Sequence, residues 1–242
     1  MRIIASRNAT GLRLMEIARH AKLERPTAHR ILGCLIAEGM VRRDPDTRCY
    51  FLGHLIFELG LAASSNFNLR DVCRPSLVRL AEQTGDTVFL TIRSGYDTAC
   101  IDRQEGSFPI RTLTLDVGTR RPLGVGAGGL ALLMALPDQT IDEVISANAL
   151  RLRAYNNLTA RSLLRIVKQS KELGYALNDA QITPGATSVG LPIRSRFDEP
   201  FLAISIGAIS SRMAAKRQTD LVSLIRREVA QLEASLEGTA RP

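Results

Sequence analysis

Residues 11–53 read GLRLMEIARHAKLERPTAHRILGCLIAEGMVRRDPDTRCYFLG, and their periodicity decides the architecture. Leu14, Ile17, Ala18 and Ala21 recur at i, i+3, i+4 and i+7, as do Ala28, Ile31, Leu32 and Leu35. Two short amphipathic helices are therefore predicted, each with one apolar stripe. Residues 20–25 leave room only for a tight turn, and Pro26 suits the first helical position, where its missing N–H leaves no bond unmade. With its stripe inward, the second helix turns Arg25, Thr27, His29, Arg30 and Gly33 to solvent, donors and small groups that fit a major groove. Gly39 ends this helix, and Met40-Val41 opens a strand that runs through Arg42, Arg43 and a charged turn into a second strand at 48–52. The pattern is that of a winged helix-turn-helix, with Arg25, Thr27, His29 and Arg30 facing DNA from the helix and Arg42 and Arg43 from the wing. A structural helical hairpin with solvated charges is the plain alternative. Charge argues against it: residues 1–52 hold ten Lys/Arg against five Asp/Glu, so +5 of the chain's formal +8 lies in its first fifth. Such a basic module suits phosphate contacts.

Working outward, 242 residues allow one or two domains with a real core, and two are expected. No run of eighteen apolar residues occurs, and MRIIASRNAT is too short and polar for a secretory signal, so a cytoplasmic protein without a membrane partner is expected. Cys34, Cys49, Cys73 and Cys100 lie far apart, which indicates neither a metal site nor a disulfide framework; buried or inert thiols are expected. Only residues 2–6 precede Asn8, Thr10 and Gly11, so the first helix of the reader is expected to be shortened, or the start to lie upstream.

After the wing, residues 54–67 are apolar around much of their circumference, and Ile56, Leu59 and Ala63 at helical spacing suit pairing with the same helix of a second chain. Residues 66–68 break this helix. A second helix at 69–84 turns Cys73, Leu77, Leu80 and Ala81 inward. The period then changes: 87–93, 96–103 and 110–117 read as a strand meander punctuated by Gly95, Gly106, Pro109 and Gly118. Helices are predicted at 128–136, 138–147 and 159–173, strands at 176–178, 186–194 and 201–208, and a closing helix at 216–236. The fold class is α+β, one antiparallel sheet flanked by helices.

Residues 124–129, GVGAGG, formally satisfy GxGxxG, but residues 118–122 before them are no buried parallel strand, so a dinucleotide fold is rejected. What survives is a glycine turn entering a helix, whose free N–H groups and positive dipole end suit an organic carboxylate; close packing of the turn on the sheet is the competing reading. Catalysis is disfavoured. His20, His29 and His54 all precede residue 55 and no cysteine follows Cys100, while Asp86, Asp97, Asp102, Asp116 and Asp179 show no spacing that demands a carboxylate pair. No metal or cofactor is expected.

The order EIARHAKL, RPTAHRILGCL, EGMV and YFLG resembles the amino-terminal domain of the isocitrate-lyase regulator (IclR) family of bacterial transcription factors. RRPLGVGAGGLALLMAL, ELGYALND and DEPFLAISIGAISSR are similar, in order, to its ligand-sensing domain. Two departures are Pro26, where the family usually has Ser or another cap, and Leu130, where it has Lys. The resemblance implies a winged helix-turn-helix (1–53), a linker helix (54–68) and a GAF/profilin-like antiparallel sensing domain (69–242). It also implies a repressor of a catabolic operon that binds a double-stranded DNA operator as a homodimer, with a tetramer as the alternative. Effector contacts are expected from Gly126, Ala127 and Gly128 at the helix start and from Asn178, Ala186, Ser188, Ser205 and Gly207 on the strands. Alternation puts Ala186 with Ser188 and Ser205 with Gly207 on one face. The expected ligand is a small aromatic or short aliphatic acid, in a pocket lined also by Leu123 and without a Lys or Arg. A ligand-free interaction module of the same fold is the alternative.

Overall fold

The computed structural model describes residues 1–5, 7–8, 10–64, 69–112, 114–180, 182–194 and 200–238. The chain divides into two compact units, Met1–Asn68 and Leu69–Pro242. In the first, α1 (Arg2–Ala5), α2 (Leu14–Ala21) and α3 (Arg25–Ala37) precede a hairpin of β1 (Val41–Arg43) and β2 (Tyr50–Leu52), and α4 (His54–Ser64) follows. Its core is Ile4, Leu12, Ile17, Leu32, Val41 and Tyr50. Leu12 adds a third rung to the hairpin: its N–H donates to Tyr50 O at 3.2 Å, and the Tyr50 N–H returns to Leu12 O at 2.8 Å.

Three readings of this unit need correction. Helix α3 begins one residue early, at Arg25, so Pro26 takes the second helical position, which also needs no N–H. Ile31 is 43% exposed. The short α2 and the hairpin pack against α3, whose buried residues are Ala28 and Leu32 with Leu35 half-buried, and Ile31 falls outside that arc. The second wing strand starts at Tyr50, because Asp44 Oδ1 accepts from both Thr47 N and Thr47 Oγ1 at 2.8 Å and holds the turn open that far. Helix α4 carries the predicted apolar character, with Phe57 69%, Leu59 48% and Leu61 55% exposed in this unit, whereas Ile56 is half-buried. Residues 65–68, including the predicted break, lie outside the described residues.

The second unit runs α5 (Leu69–Thr84), β3 (Thr87–Ser94), β4 (Asp97–Gln104), β5 (Arg120–Pro122), α6 (Gly126–Met134), α7 (Asp138–Leu152) and α8 (Ala160–Leu173). It continues with β6 (Ala176–Asp179), β7 (Ala186–Arg194), β8 (Pro200–Ile209) and α9 (Ala215–Gly238). The strands form one six-stranded antiparallel sheet, ordered β5-β4-β3-β8-β7-β6. Strand alternation sorts its two faces. Val88, Leu90, Val189, Leu191, Ile204 and Ile206 pack with Leu77 and Leu80 of α5 and Leu221 and Ile225 of α9. Ala203 and Ala176 face the other way, into a second core with α6, α7 and α8. Phe89, Thr91, Ser188, Ser205 and Gly207 share that second face by register.

Among the described residues, the predicted strand at 110–117 does not form. The free edge of β4 is taken by the chain that follows it: the Gly118 N–H donates to Cys100 O at 2.8 Å, the Cys100 N–H donates to Thr119 O at 3.0 Å, and Asp97 pairs with Pro122. With that edge of β4 taken, the described residues before Gly118 are held by other contacts. Arg103 holds them through Leu115 O at 3.3 Å and Asp116 Oδ1 at 2.6 Å, and the Phe108 N–H donates to Gly85 O at 2.9 Å. The expectation for the cysteines also divides: Cys73 and Cys100 are buried, but Cys34 is exposed on α3.

Candidate functional site

In the first unit a concave groove opens between α3 and the wing, lined by Arg13, Leu14, Met15, Arg25, His29, Arg43, Asp46, Thr47, Arg48 and Tyr50. Arg25 and His29 stand one turn apart on α3 and so share a face. The hairpin brings Arg43 to them. Because side chains alternate, Arg43 lies with Tyr50, its guanidinium 5.6 Å from that ring, whereas Arg42 stacks on Phe51 at 4.3 Å on the opposite face. Arg30 is exposed and Thr27 half-buried, and neither lines the groove. Of the six residues read from the sequence, the structure thus gathers Arg25, His29 and Arg43. It adds Arg13, which precedes α2, and Arg48, held at φ +56° in the wing turn. Neither lies on a periodic face, so their charge was the only signal.

In the second unit, Gly126, Ala127, Gly128, Asn178, Ala186, Ser188, Ser205 and Gly207 all line one cleft, with about 600 Å³ of free space including its mouth. Its floor is the second sheet face, with Phe89, Thr91, Ser205, Gly207 and Ser188. Its roof is the first turn of α6, and Thr112, Thr114 and Leu115 close one side. Val125 caps α6 with no side-chain bond, so the first N–H groups face the cleft unclaimed by a cap. Asn178 Nδ2 donates to Ser188 Oγ at 3.4 Å, a neutral pair on the far wall.

The roof rests directly on the floor at Gly128. A Cβ on Gly128 would lie 2.5 Å from Thr91 Oγ1 and 3.4 Å from Ser205 Oγ, so here glycine serves close packing as well as access. Leu123, expected in the lining, is instead fully buried in the core beneath α6 and α8. Its neighbour Arg121 is in the cleft, contrary to the expectation of a lining without a cation. Arg121 Nη2 donates to Thr114 O, its guanidinium lies 5.9 Å from the Tyr155 ring, and burial pushes its pKa below the ordinary arginine value. No carboxylate pairs with it among the described residues. Sequence reading missed it because Arg120-Arg121-Pro122 looks like a solvated charge run until β5 pairs with β4 and fixes which arginine points inward. Thr112 is 8% exposed, and its Oγ1 is fully buried with no hydrogen-bond partner among the described residues.

The five aspartates weighed for catalysis are otherwise engaged. Asp86 is held by Arg212 and Arg217, Asp97 by Arg120 and Arg151, Asp102 by Arg70, Asp116 by Arg103, and Asp179 accepts from Thr187 Oγ1. None lines the cleft. Among the described residues no helix is long and apolar enough to cross a membrane.

Comparison with known proteins accounts for nearly the whole chain. Residues 61–234 match the family described as "Bacterial transcriptional regulator IclR C-terminal", and residues 1–45 match "IclR helix-turn-helix domain". The chain is 30% identical over 212 residues to the HTH-type transcriptional regulator BhcR of Paracoccus denitrificans, covering 86% of this chain and 75% of that one. It is 27% identical over 231 residues to the acetate operon repressor of Salmonella typhimurium, covering 93% and 83%. An IclR homolog from Microbacterium hydrocarbonoxydans, crystallised with 4-hydroxybenzoate, superposes with a TM-score of 0.71 at 24% identity, covering 95% of this chain and 92% of that one. With helix-turn-helix and sensing halves both matched in order, this chain belongs to the IclR family of bacterial transcriptional regulators.

Proposed function

We propose that this chain represses a catabolic operon and that a small organic acid in the cleft of the second unit controls its hold on the operator. Residues 1–53 read DNA, residues 54–68 link two chains into a homodimer, and residues 69–242 sense the acid. The observation that carries the sensor reading is the first turn of α6: its N–H groups and positive dipole end open onto a cleft whose opposite wall, Asn178, Ser188 and Ser205, is neutral and hydrogen-bonding. A carboxylate satisfies those donors and meets no opposing charge. Gly126, Ala127, Gly128, Ala186 and Gly207 give it room. The relative crystallised with 4-hydroxybenzoate supports a ligand of this size.

On the DNA side, Arg25, His29 and Arg43 with Arg13 and Arg48 make the phosphate and base contacts, and Arg42, on the far face of the wing, contributes little. Fluorescence titration of a labelled operator fragment at several salt concentrations tests this. Losing Arg25 and Arg43 together should weaken binding and flatten the salt dependence by about two phosphate contacts, while Arg42→Ala stays near wild type. Equal loss from Arg42→Ala would refute the assignment. For the sensor, an acid at 100 times its dissociation constant should stabilise the chain by about 2.7 kcal/mol. The Ser188→Val, Ser205→Val double variant should lose that shift; a shift that survives it, or no shift from a broad acid panel, rejects the reading.

A further inference from the structure

Strand β4 changes face in mid-course. Its register against β3 pairs Thr91 with Cys100 and Leu90 with Asp102, which leaves Ile101 as an extra residue, a β-bulge. Cross-strand partners share a face, so Cys100 lies with Thr91 on the cleft side, whereas Asp102 lies with Leu90 on the side of α5 and α9. Arg103, opposite Phe89, returns to the cleft side. Without the bulge, these two charged neighbours would each point the other way.

Each grips a different part of the fold. Arg103 holds the chain beside the cleft: Nη1 donates to Leu115 O at 3.3 Å and to Asp116 Oδ1 at 2.6 Å, and Leu115 lines the cleft. Asp102 is 1% exposed and faces Arg70 in the first turn of α5, with Oδ2 3.5 Å from Arg70 Nε. One bond joins the two grips, because Asp102 Oδ1 accepts the Arg103 N–H at 2.8 Å. Helix α5 is also where the chain enters the second unit, since only residues 65–68 separate it from α4. An unbroken run of contacts thus leads from the cleft wall to the start of α5, where the linker ends.

The last step of that run is incomplete. Asp102 Oδ2 is buried and makes no hydrogen bond among the described residues, which is rare for a charged oxygen because its desolvation goes uncompensated. A charge-assisted bond closes at about 2.7–2.9 Å, so Arg70 stands roughly 0.7 Å short of one. The Arg70 side chain is 51% exposed and has room to move that far. The contact therefore has two arrangements, open as seen and closed as a hydrogen bond, and coupling between sites requires an element with two states.

Resting on the acid-sensor reading, we propose that the bulge at Ile101 couples the cleft to the linker: an acid that shifts Leu115 moves Arg103 and, through Asp102, opens or closes the contact with Arg70 at the start of α5. Arg70, Asp102 and Arg103 line neither the cleft nor the DNA groove, so they are positioning residues.

Hydrogen exchange on the full-length chain without ligand tests the link itself. A peptide over residues 70–77 reports on α5, because the Cys73 and Arg74 amides of a helix bond back to the carbonyls of residues 69 and 70. One over residues 114–120 reports on the cleft wall. Arg103→Gln removes the grip on Leu115 and should speed exchange in both peptides by about fivefold, the effect of about one hydrogen bond. In an Asp102→Asn background the same substitution should still speed the wall peptide but leave the α5 peptide within about twofold. Arg70→Gln, at a half-exposed site, takes the place of Asp102→Asn if that variant does not fold. An α5 peptide that ignores Arg103→Gln, or that responds equally in both backgrounds, overturns the coupling.

Operator titration with and without saturating benzoate or 4-hydroxybenzoate tests the regulatory role. Arg70→Gln should hold operator and acid each within about twofold of wild type, yet shrink the acid's effect on operator affinity by about threefold or more. An undiminished acid effect overturns the proposal. If neither acid, and no member of a wider acid panel, binds wild type, the sensor reading falls, while the exchange cycle still decides whether β4 joins the cleft wall to α5.

Discussion

Gly128→Ala poses the sharpest test of how the roof of the cleft is built. In the third position of α6 an alanine gains about 0.5–1 kcal/mol over glycine from backbone entropy. Against this, its Cβ would lie 2.5 Å from Thr91 Oγ1 and 3.2 Å from Thr91 Cγ2. Thr91 is buried, with its hydroxyl 3.4 Å from the Ala203 carbonyl, so it has little freedom to give way. Overpacking of this kind costs about 1–3 kcal/mol, which exceeds the entropy gain. Gly128→Ala should therefore destabilise the chain by about 1 kcal/mol, or roughly 2–4 °C for a unit of this size. In a Thr91→Ala background both clashing atoms are gone, and the same substitution should stabilise by about 0.5–1 kcal/mol. Urea denaturation of the four chains, followed by circular dichroism, closes the cycle. If Gly128→Ala costs the same in both backgrounds, Thr91 is not the obstacle and the roof does not rest where the structure puts it. A bulky residue at 128 is accordingly no clean probe of ligand access, because it strikes the fold first.

Helix α4 exposes Phe57 and Leu59, so charging both should cost the single unit little and disrupt pairing; light scattering of the Phe57→Glu, Leu59→Glu chain should give the monomer mass, and a persisting dimer would move the interface elsewhere. Burial pushes the Cys73 and Cys100 thiols up to about 11, so only about one in 10,000 is thiolate at pH 7, and both should resist a thiol reagent until urea unfolds the chain. Exposed Cys34 on α3 should react in the folded protein; rapid labelling of Cys73 or Cys100 under native conditions contradicts the buried assignment.

The sequence by itself determined most of the element order, the exception being the strand expected at 110–117 in place of β5. Helical spacing at Leu14, Ile17 and Ala18 and at Cys73, Leu77 and Leu80, and alternation along 186–194 and 201–208, are local signals that burial of one face imposes directly. The same alternation put Ser188, Ser205 and Gly207 on one side of the sheet before any fold was in hand. What it could not determine were the relations that depend on which edge is occupied and which arc is covered. Residues 110–117 have the composition of a strand, yet the edge they would need is taken by Arg120–Pro122, and strand pairing is non-local. Ile31 fits the apolar period of α3, but a short partner helix leaves it in water. Arg42 and Arg43 are adjacent charges in sequence; the register with Phe51 and Tyr50 sends them to opposite faces. Arg121 became a site candidate only in the tertiary structure, where it lines the cleft with no carboxylate partner among the described residues, because the burial and pairing of a polar group depend on the chain that folds around it.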